Sequence, residues 1–204
     1  MTDQPENAPP AVSSETTGGR PLRADAQRNR QRVLEVAAAA FTAEGLGVSV
    51  HEIARRAGVG TGTVSRHFPT KEALFEAIIL DRAATCVTTA QTFAETLEPG
   101  AAFFAYLTFL IDKGAADQIL AEVLVRGGVD IEAAASRSQH DLMGALHQLL
   151  DAAQRSGAVR VDIDTADVKA VVAGCLSRER QQPDHAARKR MIAIARAGLS
   201  ATAP

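Results

Sequence analysis

Residues 49–70 of the chain read SVHEIARRAGVGTGTVSRHFPT and contain the signals for two short helices joined by a tight turn. Ser49, followed three residues later by Glu52, is a capping-box pattern in which each side chain bonds a free backbone N–H of the other residue. A helix therefore starts at this point. Gly58 ends it and permits a positive φ in the turn, and Pro69 ends the second helix.

Two short helices joined by a glycine-containing turn form a helix-turn-helix, with the motif here at about 49–68. Val59 is expected to fill the angle between the helices, and Val64 with Phe68 at i, i+4 anchors the second helix inward. The remaining residues of the second helix then face outward. They are Thr61, Gly62, Thr63, Ser65, Arg66 and His67.

Hydrophobic periodicity and frequent Ala and Leu predict an all-α fold of nine helices. Gly114 and Gly157 are expected to end helices, and the alternation Val159, Val161, Ile163 has no partner strand, so it is interpreted as an extended linker. Besides the two helices of the motif, the predicted helices span about 24–44, 71–97, 101–113, 117–126, 131–156, 165–180 and 184–199.

Composition and helical periodicity predict a polar, disordered tail at 1–22, a helix-turn-helix domain at 23–70 and a larger helical domain at 71–204. From Arg20 to Lys71 the net charge is +5, whereas the rest of the chain carries −7. Because Lys and Arg supply most non-specific affinity for phosphates, the basic segment is the expected nucleic-acid contact. An accidental charge cluster is the alternative.

Several functional classes lack support in the sequence. No apolar run is long enough for a membrane helix and no signal peptide is apparent, so we expect a cytoplasmic protein without membrane partners. Cys86 and Cys175 have no metal-ligand or disulfide spacing and are expected to be buried thiols. His147 lies seven residues after His140 and four before Asp151, but solvated side chains explain them more simply than a metal. We predict no cofactor, no metal and no catalysis.

The segment from about Ala24 to Leu80 resembles the N-terminal domain of the TetR family of transcriptional regulators. The resemblance rests on residues at fixed offsets: Phe41, Gly45, Ile53-Ala54, Ala57-Gly58-Val59, Gly62-Thr63-Val64, His67-Phe68, Lys71-Glu72 and Leu74. Two positions depart from the family. Ser65 followed by Arg66 stands where the family commonly has Tyr followed by a basic or aromatic residue, and Gly60 stands where it commonly has Ser.

The resemblance implies that the second helix of the motif enters the major groove of operator DNA. Arg66 is then the expected main base contact, because guanidinium bonds guanine with two hydrogen bonds, and Lys71 is the expected phosphate contact. Arg55 and Arg56 are expected to point to water or phosphate, and His67 has packing as its alternative role. The predicted DNA-binding set is Arg23, Ser49, Thr61, Gly62, Thr63, Ser65, Arg66, His67 and Lys71.

The family resemblance also implies a C-terminal domain that dimerises and binds a small-molecule effector. Residues 157–167 resemble the linker of an SbtR-like branch. A homodimer is expected through one apolar stripe on each of the last two helices: Val168, Val171, Val172, Cys175 and Leu176, then Met191, Ile194, Ala195 and Gly198. The effector is expected among side chains that face the interior, with plain core packing as the alternative role: Phe93, Phe103, Tyr106, Phe109, Met143 and His147.

These features together predict a ligand-responsive transcriptional repressor. An all-helical enzyme or carrier with a vestigial DNA-binding domain is the alternative from another class. An activator, or a structural DNA-binding protein without an effector pocket, is a second alternative.

Overall fold

The computed structural model describes residues 19–121 and 141–201, and these residues are almost entirely helical. The helices in the described ranges are α1 (Gly19–Glu44), α2 (Val50–Ala57), α3 (Thr61–His67), α4 (Lys71–Thr96), α5 (Pro99–Ala116), α6 (Leu142–Arg155), α7 (Thr165–Gln181) and α8 (His185–Leu199). A 3-10 turn spans Gly45–Gly47, and residues 118–121 are also helical. The all-α prediction is confirmed. Three predicted segments lie outside the described residues: the tail at 1–18, residues 122–126 of the helix at 117–126, and residues 131–140, with His140, of the helix at 131–156.

Helix starts follow the local sequence closely. Ser49, Thr70 and Asp141 each accept a backbone N–H at the start of the helix that follows, and Asp164 forms a full capping box with Asp167. Such caps satisfy N–H groups that have no partner inside the helix.

Three helix boundaries differ from the sequence prediction by three residues or more. Helix α6 begins at Leu142, because Asp141 is its non-helical N-cap, so the helix predicted at 131–156 is not continuous. Helix α1 begins at Gly19, so residues 19–22, predicted as tail, are helical. Pro21 lies in the first turn, where a missing N–H costs nothing. Helix α5 runs through Gly114 to Ala116. Gly114 is buried, and tertiary packing overrides the weak helix propensity of glycine there.

The buried side chains form two hydrophobic clusters, which we call the head core and the regulatory core. The head core joins α1, α2, α3 and the first turns of α4, where it includes Leu74 and Ile78. The regulatory core begins at Cys86 of α4 and includes side chains of α5, α6 and α7. Helix α4 therefore belongs to both clusters and connects them as one continuous rod.

A second connection between the clusters lies at residues 117–121. Ile119 is buried in the head core, whereas Leu120 and Ala121 are buried in the regulatory core. The side chain of Arg82 on α4 donates from Nε to Asp117 Oδ2 at 2.6 Å. Asp117 also accepts the Leu120 N–H at 3.1 Å. One short turn is therefore packed against both parts of the molecule.

The C-terminal helices are tied to the regulatory core by polar contacts. Arg188 of α8 approaches Glu179 of α7 at 3.4 Å and Asp112 of α5 at 3.2 Å. Val159, which the sequence left without a partner, forms an isolated antiparallel bridge with Ser200. In the described ranges, no helix is both long and apolar enough to cross a membrane.

Candidate nucleic-acid interface

The turn between α2 and α3 has the geometry expected of a helix-turn-helix. Gly58 has a φ of +66°, in the left-handed region, and its N–H bonds the carbonyls of Ala54 and Arg55. Val64 and Phe68 are 1% and 4% exposed, so they anchor α3 against the head core. The predicted inward positions of α3 are confirmed.

The outer face of α3 is polar and exposed. Its exposed residues are Gly62, Thr63, Ser65, Arg66 and His67. Thr61 differs from these because it is only half-exposed and its Oγ1 lies 3.2 Å from His51 Nδ1 of α2. The side chain of Thr61 therefore ties α3 to α2 as well as bordering this face.

A shallow groove of about 240 Å³ separates the polar face of α3 from α1. Thr63 and His67 border it from α3, and Asn29 and Arg30 border it from α1. The Arg30 guanidinium lies 5.6 Å from the centre of the Phe68 ring, a cation–π contact. Basic and polar groups of α1 therefore adjoin the exposed side of the second motif helix, a relation that local sequence patterns do not reveal.

Carboxylates hold Arg55 and Arg56 in the part of the molecule that packs around the head core, from α1 to the first turns of α4, which we call the head. Glu52 accepts from Arg55 Nη2 and from Arg56 Nε, both at 2.7 Å, and Arg56 also pairs with Glu44 at the end of α1. Hydrogen bonds from Arg55 and then Arg56 lower the pKa of Glu52 to about 2. Both arginines are exposed, as predicted, and each is also paired with a carboxylate.

The same contacts change the predicted capping box at the start of α2. Ser49 Oγ accepts the Glu52 N–H at 3.2 Å, as predicted. The Glu52 carboxylate binds the two arginines of its own helix, which offer a charge that the Ser49 N–H lacks. The i+3 and i+4 spacing from Glu52 to Arg55 and Arg56 was the available sequence signal.

The remaining predicted DNA contacts lie around the head. Ser49 is exposed at the start of α2, and Lys71 is half-buried at the start of α4, directly after the Thr70 cap. The backbone of Arg23 lies in the first turns of α1, but its side chain is outside the described part. Lys71 therefore shares one end of the head with the C-terminal end of α3.

The six predicted effector-contact residues differ in their burial. Phe103 and Tyr106 are fully buried in the regulatory core, and Phe93, Phe109 and Met143 are partly buried against it. His147 is exposed, with Nδ1 3.4 Å from Thr165 Oγ1. The expectation that His147 faces the interior is wrong, because the buried stripe of α6 consists of Leu146, Leu149, Leu150 and Ala153.

A partly open cleft of about 360 Å³ lies between α4, α5 and α6. Most of its lining is apolar and small. Polar groups come from Gln91, Glu95, Asp141 and Gln148, and the apolar lining is Val87, Ala90, Ala94, Pro99, Ala102, Gly144, Ala145, Leu149 and Ala152. None of the six predicted residues lines this cleft, so their role in effector contact stays a prediction.

The stripe predicted for dimerisation on α7 is largely internal. Val168, Val172, Cys175 and Leu176 are buried within this chain. Their burial follows from the packing of α7 against α5, which the chain order did not reveal. On α8, Ile194 is 65% exposed and Gly198 is exposed. The predicted apolar surface that stays exposed in the single chain is therefore on α8.

Asp151 pairs with Arg155 on the exposed side of α6. The described residues contain no group of three or more His, Cys, Asp or Glu side chains placed to hold a metal.

Burial raises the pKa of the Cys86 thiol to about 12, so this cysteine stays protonated.

Comparisons with known proteins give matches over both parts of the chain. Residues 33–78 match the family described as bacterial regulatory proteins, tetR family, and residues 98–201 match the C-terminal domain described as transcriptional regulator SbtR-like. An HTH-type transcriptional regulator of Staphylococcus aureus (strain USA300) is 44% identical over 54 residues, which is 26% of this chain and 29% of that protein. The match thus spans less than a third of that relative.

Two solved structures each resemble more than four fifths of this chain. The TetR transcription regulatory protein from Mycobacterium vanbaalenii is 45% identical, with a TM-score of 0.67, over 88% of this chain and 99% of that one. The TetR transcriptional regulator SCO0520 from Streptomyces coelicolor is 32% identical, also with a TM-score of 0.67, over 85% and 99%.

Proposed function

This chain belongs to the TetR family of bacterial regulators, with a C-terminal domain of the SbtR-like type, and we propose that it is a repressor that binds operator DNA and leaves it when a small-molecule effector binds. The observation that carries the DNA-binding part is the exposed polar face of α3, held outward by buried Val64 and Phe68. The surrounding segment, from Arg20 to Lys71, has a net charge of +5. The proposal assigns no catalytic role.

In this proposal α3 reads bases in the major groove and its neighbours bind the backbone. Arg66 makes the main base contact, because it is the cation on the exposed face of α3. Thr61, Gly62, Thr63, Ser65 and His67 lie along the same helix and contact the groove or its edge. Ser49, Lys71 and Arg23 contact phosphates. Arg55 and Arg56 are left out, since acidic side chains of the head already pair with them.

We propose a homodimer in which α8 and the outer side of α7 pack against their counterparts in a second copy. Ile194 and Gly198 of α8, together with the exposed Gly174 of α7, offer an apolar surface with little bulk. Such surfaces permit close helix packing in a four-helix arrangement. Two heads related by two-fold symmetry then reach successive major grooves, roughly 34–36 Å apart.

We propose that the effector binds in the cleft between α4, α5 and α6, which belong to the helices packed around the regulatory core; we call these helices the regulatory domain. A cleft of about 360 Å³ falls within the range of small-molecule sites. Val87, Ala90 and Ala94 of α4 line it, and the first turns of the same helix pack in the head core. A small displacement of α4 by the effector would therefore change the spacing between the two heads and weaken both DNA contacts.

The test is a gel shift with DNA from upstream of the gene for this protein, titrated with salt. A regulator shows sequence preference together with a steep loss of affinity at higher salt. The Arg66→Ala variant should lose preference at one base pair in each half-site, and Arg55→Ala, an exposed arginine of the same head, is the matched control. An absence of preference for any sequence, after selection from random DNA, would refute the DNA-binding part.

A metabolite screen with the bound operator tests the effector part. A typical coupling of about 1–3 kcal/mol would lower operator affinity roughly 5- to 150-fold. If no metabolite changes operator affinity, the sensor role fails and a constitutive DNA-binding protein remains.

A further inference from the structure

The first turn of α3 has little support from burial. It consists of Thr61, Gly62 and Thr63, and none of these three residues is buried. The buried side chains that anchor α3 are Val64 and Phe68, which lie at its middle and directly after its end. A helix of seven residues is too short to be stable by itself. The order of the first turn therefore depends on other contacts.

The local sequence also gives this turn little help. Its N-cap residue is Gly60, and no side chain caps this helix start. The helices on either side differ in this respect, because Ser49 caps α2 and Thr70 caps α4. Gly62 weakens the turn further, since glycine loses more backbone entropy in a helix than any other residue. Free N–H groups and a glycine thus coincide in the part of α3 that is least buried.

A side-chain hydrogen bond ties this turn to α2. Thr61 Oγ1 lies 3.2 Å from His51 Nδ1. His51 is the second residue of α2, which is held by the Ser49 cap and by three buried side chains, those of Ile53, Ala54 and Ala57. The His51 side chain is exposed, so core packing does not explain its place. The hydrogen bond therefore joins the weak start of α3 to a helix whose own start is fixed.

We propose that His51 is a positioning residue for operator recognition, and that its hydrogen bond to Thr61 holds the first turn of α3 where a capping side chain is missing. In the proposed function this turn enters the major groove with Thr61, Gly62 and Thr63. A turn that is already ordered binds without a further loss of backbone entropy, whereas a frayed turn is ordered at the expense of affinity. His51 acts through Thr61 and needs no contact with DNA. The inference rests on the proposed use of α3 to read the operator.

Two substitutions separate the hydrogen bond from the rest of the histidine side chain. His51→Leu keeps much of the bulk and removes Nδ1. His51→Asn places an amide group, which can donate or accept, at the same number of bonds from Cβ as Nδ1, and the two residues have similar helix propensities. With an operator selected from random DNA, full-length His51→Leu should bind about two- to tenfold more weakly, the equivalent of one net hydrogen bond. His51→Asn is the matched control and should stay within about twofold of the wild type.

A capping side chain at position 60 should make His51 dispensable. Gly60 has a φ of −65° and a ψ of 136°, an extended conformation that is usual for an N-cap residue. A Cβ at this position would meet Thr63 Oγ1 at 3.8 Å, an ordinary van der Waals distance. In Gly60→Ser the new hydroxyl can accept the N–H of Gly62 or Thr63. Adding His51→Leu to Gly60→Ser should then change operator affinity by less than about twofold.

Hydrogen exchange measures the order of the turn in the absence of DNA. The N–H groups of Thr63 and Val64 bond the Gly60 carbonyl at 2.9 and 3.2 Å. Both amides should exchange about two- to tenfold faster in His51→Leu, because loss of the hydrogen bond favours local opening. In His51→Asn they should exchange at the wild-type rate. Amide NMR of the full chain measures the rates, and circular dichroism checks that each variant is folded. Unchanged rates in His51→Leu would overturn the proposal.

The DNA measurements distinguish positioning from a direct contact. If His51 itself bonded a phosphate, His51→Leu would weaken binding as much in the Gly60→Ser background as in the wild type. That result, or equal losses in His51→Leu and His51→Asn, would rule out the positioning role. Unchanged operator affinity in His51→Leu would also rule it out and leave the DNA-binding regulator intact. Absence of sequence preference in the wild type would instead refute the proposed function, and the operator role of His51 with it.

Discussion

The substitution Asp117→Asn tests how much the ion pair between Arg82 and Asp117 stabilises the packing of residues 117–121 against α4. Arg82 Nε donates to Asp117 Oδ2 at 2.6 Å, and the two side chains are only 18% and 21% exposed. Asp117→Asn keeps a side chain that still accepts the Leu120 N–H, because Asn caps helices about as well as Asp. The substitution therefore removes the ion pair and leaves the turn.

The burial of the pair sets the expected magnitude. Exposed ion pairs contribute about 0–1 kcal/mol, whereas breaking a fully buried pair costs about 3–5 kcal/mol. This pair lies between these limits, and Arg82 keeps a second partner in Asp81 at 2.8 Å. We expect Asp117→Asn to lower the free energy of unfolding by about 1–2 kcal/mol, which is a drop of roughly 2–8 °C in Tm.

A double-mutant cycle with Arg82→Met isolates the pair, since Met keeps most of the apolar stem of arginine. Unfolding in urea gives the four free energies. The expected coupling is about 1 kcal/mol. Asp151→Asn is the control, because Asp151 pairs with Arg155 on an exposed surface and should change stability by less than about 0.5 kcal/mol.

The cycle also has a result that refutes this reasoning. A coupling below about 0.3 kcal/mol, within the usual error of additivity, would mean that the pair does not hold residues 117–121 against α4. The packing of Ile119 and the continuity of α4 would then connect the two cores without help from charge.

Three further predictions concern the DNA contact, the dimer and the response to pH. Arg66→Ala should cost roughly 1–3 kcal/mol of operator affinity and relax the preference at one base pair. Lys71→Ala should weaken binding to all sequences alike and lower the slope of affinity against salt by about one. Quantitative gel shifts measure both effects, and a sequence-selective loss in Lys71→Ala would contradict the phosphate contact. Ile194→Glu should give a monomer by light scattering. Val161 is also an exposed apolar residue, and Val161→Glu should stay dimeric. A dimeric Ile194→Glu protein would place the interface elsewhere. Because two arginines lower the pKa of Glu52 from 4.5 to about 2, its contribution to stability is present above pH 4.5 and lost as the pH falls toward 2. The difference in urea midpoint between wild type and Glu52→Gln should shrink over that interval, and a constant difference argues against the pair.

The helix-turn-helix was predictable from sequence because its determinants are close together in the chain. The Ser49 cap, the left-handed Gly58 and the break at Pro69 each act within a few residues, and the pair Val64 and Phe68 marks the inner face by spacing alone. The structure has all of these features at the predicted positions.

The regulatory half was less predictable because its sites depend on which helices become neighbours. In the sequence, Phe103 and Tyr106 are equally compatible with lining an effector site and with plain core packing. The structure buries both side chains in the regulatory core. The cleft is lined mainly by alanines from α4, α5 and α6, which have no signature of their own. The sequence pattern predicts that the His147 side chain faces the interior, yet α6 buries its leucines instead.

The sequence alone determined the all-α class, the position of the helix-turn-helix, the basic segment and the family. These properties follow from local backbone preferences and from the order of residue types. Only the tertiary structure decided that Glu44 of α1 binds Arg56 of α2, that Ile119 packs in the head core, and that the Tyr106 hydroxyl is buried without a partner among the described residues. The physical reason is that these contacts join side chains from different helices, and their energies depend on distance and burial after packing, which no local pattern contains.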